Sequence, residues 1–95
     1  MASIRSLKKD IDLLLSLVLE DCMYVMEHYP EADKEKVNAI AREVMARHRD
    51  LRAMVNHPDG KENPAVVKEY MRSVVNKLYD VADQALEQLL SEVKK

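Results

Sequence analysis

Apolar residues recur at intervals of three and four along three separate stretches of the chain, with two clusters of helix-breaking residues between them. Ile4, Leu7, Ile11, Leu14, Val18, Cys22 and Val25 carry the first pattern. Val37, Ile40, Val44, Leu51 and Val55 carry the second, and Val67, Met71, Val74, Leu78, Val81, Ala85 and Leu89 the third. The breakers are His28-Tyr29-Pro30-Glu31 and the run from Asn56 to Pro64. A residue before proline is pushed out of the helical region, so one helix should stop near Tyr29 and another near Asn56 or His57. Pro58-Asp59-Gly60 reads as a turn, and Asn63-Pro64 as an N-cap followed by a first helical residue. Ser3 and Asp33 are suited to cap the other two helices. The pattern therefore predicts helices over 3–29, 33–56 and 64–93. Their short connections make sequential neighbours antiparallel, giving an all-α, up-down-up three-helix bundle.

Two of these helices carry more apolar surface than one core needs. A small-bundle helix requires a single apolar stripe. At 100° per residue, Leu13, Leu17 and Tyr24 form a second strip beside the core stripe of the first helix. Tyr79, Leu86 and Leu90 do the same on the third, with Val75 on the border. The polar side of the first helix is reduced to Asp12, Ser16, Glu20 and Glu27. Exposed strips of this kind commonly mark interaction surfaces, and closed two-fold dimers are the commonest oligomers. The expectation is a homodimer formed through helices 1 and 3. The alternative is that the strips are partly internal or are scattered surface residues.

Composition narrows the field of functions. Ninety-five residues suffice for one domain, and a single Gly with three Pro disfavours a β-sandwich or barrel. Net charge −2 gives no bulk electrostatic reason to bind nucleic acid or an anionic membrane. One cysteine, Cys22, cannot form an internal disulfide, which suits a reducing compartment. Arg5, Lys8 and Lys9 ahead of the Ile11–Leu19 stretch and Cys22 have the outline of a lipoprotein signal. Asp10, Asp12, Glu20 and Asp21 break that outline and also interrupt any membrane span. The expected location is the cytoplasm.

Candidate chemistry is sparse. His48 falls within the stripe of the second helix and, in an antiparallel pairing, near Tyr70 of the third, whose hydroxyl could satisfy a ring nitrogen. No Glu-x-x-His pair of the kind that holds metals in bundles occurs on any of the three helices. Asp21 points between the two apolar faces of the first helix. His48, Tyr70 and Asp21 are thus the candidate polar core or small-ligand site, with a structural role favoured over an acid–base one. Cys22 lies on the core face with no basic neighbour to favour its thiolate. Arg42, Arg47, Arg49 and Arg52 make the second half of the second helix basic. They are the candidate anion or nucleic-acid patch, although the macrodipole and a Glu43–Arg47 pair explain them as a solvated face. Asp80, Asp83 and Glu87 should approach Lys36 and Arg42 across helices 2 and 3.

The opening Ser3-Ile4-Arg5-Ser6-Leu7-Lys8-Lys9-Asp10-Ile11 and the Asn56–Pro64 connection followed by Val67-Lys68 resemble a family of short, uncharacterised all-helical proteins of Bacteroidota. The resemblance implies a small bacterial cytosolic protein and brings no activity, cofactor or catalytic residue. The reading that results is a homo-oligomeric helical protein with a structural or protein-interaction role and no catalysis, cofactor or metal. A nucleic-acid-associated protein using the second-helix arginines, and a small-ligand binder or enzyme around His48, are the alternatives.

Overall fold

The structure is a computed structural model that describes residues 4–56 and 63–94. The expected Ser3 cap, the Pro58-Asp59-Gly60 turn and His57 lie outside the described residues. Three helices form: α1 (Ile4–His28), α2 (Lys34–Asn56) and α3 (Pro64–Val93), with no strand among the described residues. Each end coincides with the expected one to within a residue.

Local chemistry explains those ends. Pro30 stops α1, whose last turn is closed by the Tyr29 N–H donating to the Val25 carbonyl at 3.0 Å. The Ala32 N–H then donates to the Tyr29 carbonyl at 3.0 Å, a tight turn that tucks Ala32 into the core. Asp33 caps α2: its Oδ1 accepts from the Glu35 N–H at 3.0 Å and the Lys36 N–H at 3.3 Å. Asn63 caps α3 from an extended backbone, its Oδ1 accepting from the Ala65 N–H at 3.0 Å, with Pro64 in the first turn.

All three helices pack against one another around one core. Asp12, early in α1, meets His48 and Arg52, late in α2. Asp33, just before α2, meets Glu92 at the end of α3. Each consecutive pair therefore runs in opposite senses. Leu7, Ile11, Leu15, Val18, Cys22 and Val25 of α1 are buried against Val37, Ile40, Val44, Leu51 and Val55 of α2 and Val74, Leu78, Ala85 and Leu89 of α3. The stripe expected for α2 is buried in full. In α3 the stripe is displaced: Ala82 is buried, whereas Val67, Met71 and Val81 are only half-buried. Alanines at 82 and 85 allow α3 to approach its neighbours closely, and the seam shifts toward them.

The core is aliphatic. None of the four Tyr enters it: Tyr70 is half-buried at its edge, and Tyr24, Tyr29 and Tyr79 are exposed. Small aliphatic side chains each bury little area, so the core of this short chain confers modest stability.

One carboxylate is buried with it. Glu92 is 6% exposed, and its Oε1 accepts from the Asp33 backbone N–H at 3.0 Å. Hydrogen bonding offsets the cost of removing that group from water, and it ties the last turn of α3 to the first turn of α2. Replacing Glu92 with Ala leaves the Asp33 N–H without this acceptor. The expected loss is about 1–3 kcal/mol in urea unfolding, with Glu92→Gln losing less because its amide oxygen can still accept.

Candidate functional site

The most polar constellation of the bundle joins α1 to α2. Asp12 projects from the flank of α1 that faces α2. His48 and Arg52, one turn apart on α2, project back toward it. The His48 Nε2–H donates to Asp12 Oδ1 at 2.7 Å, because a carboxylate can only accept. Arg52 Nη1 donates to both carboxylate oxygens, at 2.9 and 2.8 Å. All three side chains are half-buried. The hydrogen bond from His48 is the main reason that the Asp12 carboxyl is held below the ordinary carboxylate range. Burial opposes the shift, and Arg52 adds to it through its own hydrogen bond and charge.

This corrects the expected surroundings of His48. Its ring nitrogen is engaged by Asp12 of α1, and Tyr70 of α3 plays no part in that bond. The stripe position told only that His48 faces inward; its ring leans to the α1 side of the seam. Asp12, read from the pattern as part of the polar side of α1, turns out to be its partner. A signal for it was present, since antiparallel helices joined near Pro30 place residue 12 level with residues 48 and 49. Asp21 is exposed rather than seated in a polar core, so the His48, Tyr70 and Asp21 set is not brought together.

The arginines divide in the same way. Arg52 is committed to Asp12, and Arg47 to Glu43 at 2.8 Å and Asp50 at 3.4 Å on its own helix. Arg42 and Arg49 are exposed. Lys36 and Glu87 line one groove between α2 and α3, and Arg47, Asp50, Lys77 and Asp80 line another, so both signs of charge alternate along that side. An unbroken positive surface does not form there, and a phosphate backbone would need one. Burial pushes the Cys22 thiol up, with the Asp21 charge adding to the shift, so its thiolate is disfavoured. Among the described residues no three His, Cys, Asp or Glu side chains gather as a metal site, and no helix is long and apolar enough to cross a membrane.

The face shared by α1 and α3 is different in kind. Leu13 is 63% exposed, Tyr79 57%, Tyr24 55%, Leu90 50%, Leu17 47% and Leu86 39%. Val75 is half-buried beside them, and Leu13, Leu14 and Leu17 share an open groove with Val75, Leu78 and Tyr79. At one end of α1 the strip continues into aromatic rings. Tyr24 lies 4.2 Å from the ring of His28 and 6.3 Å from that of Tyr29, centroid to centroid. Of the seven residues expected to form an interface, Leu13, Leu17, Val75 and Tyr79 share one groove between α1 and α3, and all but the half-buried Val75 are exposed. This face, not the polar cluster, is the candidate functional site. Its large apolar side chains are exposed, with Asp10 at the edge of their groove, and it offers water-averse area rather than a nucleophile or a ligand set.

The Asp12 cluster sets a pH dependence. A carboxyl whose folded pKa is depressed contributes stability at and above the unfolded value of about 3.9, and this is lost as pH falls through the lower folded value. Asp12→Asn should therefore be less stable than the parent at neutral pH. The gap should close below about pH 4 in urea titrations, by no more than about 1 kcal/mol because solvent screens the half-exposed pair. No family model, curated protein or solved structure matches the chain.

Proposed function

We propose that the protein is a self-associating helical interaction module, and that the α1–α3 face is the surface through which two copies meet. The observation that carries this reading is the set of exposed large apolar side chains on two neighbouring helices, Leu13, Leu17 and Tyr24 of α1 and Tyr79, Leu86 and Leu90 of α3, on a bundle whose core is otherwise closed. Covering that strip removes large aliphatic and aromatic side chains from water, a gain a small aliphatic core cannot supply by itself. Tyr at both ends of the strip adds to the case, because tyrosine is enriched at interfaces where one edge is dry and the other wet.

The reading excludes catalysis as the role of the Asp12 cluster, which is spent on joining two helices of one chain. It places the protein in the cytoplasm, where the unpaired and buried Cys22 remains reduced.

Sedimentation equilibrium is the direct test. The expected mass is twice the 11.0 kDa of one chain, falling toward one chain on dilution. The Leu17→Glu, Leu86→Glu double variant places charge in the dry centre of the contact, so its dissociation constant should rise about a hundredfold or more. A single-chain mass at high protein concentration, or a dimer indifferent to both substitutions, overturns the proposal.

A further inference from the structure

Charge among the exposed apolar residues of α1 and α3 is of one sign. Between Lys9 and Lys34 the sequence holds no Lys or Arg, and none stands between Lys77 and Lys94. These spans include Leu13, Leu17 and Tyr24 of α1 and Tyr79, Leu86 and Leu90 of α3. Residues three and four apart are neighbours on a helix surface. Glu20 and Asp21 each stand at that spacing from both Leu17 and Tyr24, and Asp83 stands so from Tyr79 and Leu86. All three carboxylates are exposed. On α3, Lys77 lines the groove on the α2 side, and Lys68 and Arg72 precede Val75.

The net charge of the chain is only −2, so two copies do not repel strongly as whole bodies. The placing of the charges matters more. A two-fold contact is isologous: the patch on one copy meets the same patch on the other. Residues near its axis therefore meet their own counterparts, whichever way the axis runs in the plane of contact. On α3 the set of expected interface residues extends from Val75 to Leu90, with Asp83 at its middle. On α1, Glu20 and Asp21 lie between Leu17 and Tyr24. A contact centred on these residues brings the three carboxylates of one copy toward the same three of the other. Like charges so placed repel, and the repulsion fades as dissolved ions screen it.

We infer that ionic strength controls self-association through this face. Glu20, Asp21 and Asp83 hold two copies apart in dilute salt, and screening lets Leu17, Tyr24, Tyr79 and Leu86 meet. This rests on the self-association proposed above and adds what regulates it. A contact held by ion pairs, with Lys68 or Arg72 of one copy on Asp83 of the other, would respond with the opposite sign, because salt weakens such pairs.

Sedimentation equilibrium in about 0.01 M and about 1 M sodium chloride tests this, since the screening length falls from about 30 Å to about 3 Å between them. The parent's dissociation constant should fall at least about tenfold in the higher salt. The Glu20→Gln, Asp21→Asn, Asp83→Asn variant changes only exposed positions and removes their charge. In the lower salt it should associate at least about tenfold more tightly than the parent, and its constant should change by less than about threefold with salt. That variant also reads whatever salt does to apolar burial itself. A parent dimer that salt leaves unchanged or weakens overturns the inference while self-association stands, and so does a variant that follows the parent's salt response. If the parent sediments as a single chain in both salts at high protein concentration, both fall together.

Discussion

Three helices packed in a triangle leave each rod one stripe against its neighbours and the remainder of its circumference to solvent. In this chain that stripe is filled by Val, Leu, Ile, Ala and Cys, with no aromatic ring among the fully buried side chains. The seam can admit only what lies within it, and the other features of the molecule follow from what it leaves out. Leu13, Leu17, Tyr79 and Leu90 are as water-averse as the core residues yet project from it at an angle that no neighbour in the bundle occupies. They are exposed because the geometry is already full, and this gives the α1–α3 face its character.

Polar groups at the margins of the seam fix how the rods are set against each other. Apolar stripes slide and rotate at little cost, since one aliphatic contact can replace another. A carboxylate between an imidazole and a guanidinium cannot, because a shift of one turn would leave Asp12, His48 and Arg52 half-desolvated and unpaired. Glu92 does the same at the opposite end of the bundle, holding the backbone at Asp33. Between them, the two contacts pin α1 to α2 and α2 to α3. The apolar side chains of Leu13, Leu14 and Leu17 meet those of Val75, Leu78 and Tyr79 along the α1–α3 groove, and it is on this side that the exposed apolar residues lie. The Asp12 cluster and the exposed Leu13, Leu17 and Tyr79 thus occupy different flanks of α1. The association proposed for α1 and α3 would leave the Asp12–His48–Arg52 contact in place.

A small aliphatic core and a large exposed strip also belong together energetically. When a chain of this size is marginal by itself, stability and self-association become linked, because whatever binds only the folded state stabilises it in proportion to its concentration. In the proposed dimer the exposed residues would serve both as the surface of association and as part of what keeps the chain folded.

Helix number, helix ends and the composition of the core were legible in the sequence because each is governed locally. Pro30 and Pro64 end and begin helices through their own covalent geometry, Asp33 and Asn63 cap through atoms two or three residues away, and the stripe of Val37, Ile40, Val44, Leu51 and Val55 follows from the helical period. The excess of apolar residues on α1 and α3 was legible for the same reason. The partners of His48 and Asp12 were not, nor was the displacement of the α3 seam toward Ala82. A periodic pattern is identical for a bundle of either hand, and it does not say whether α1 or α3 lies on a given flank of α2. Packing of all three rods together decides that. The tertiary structure alone therefore determined that His48 meets Asp12 rather than Tyr70, that Asp21 faces solvent, and that Glu92 is drawn inside.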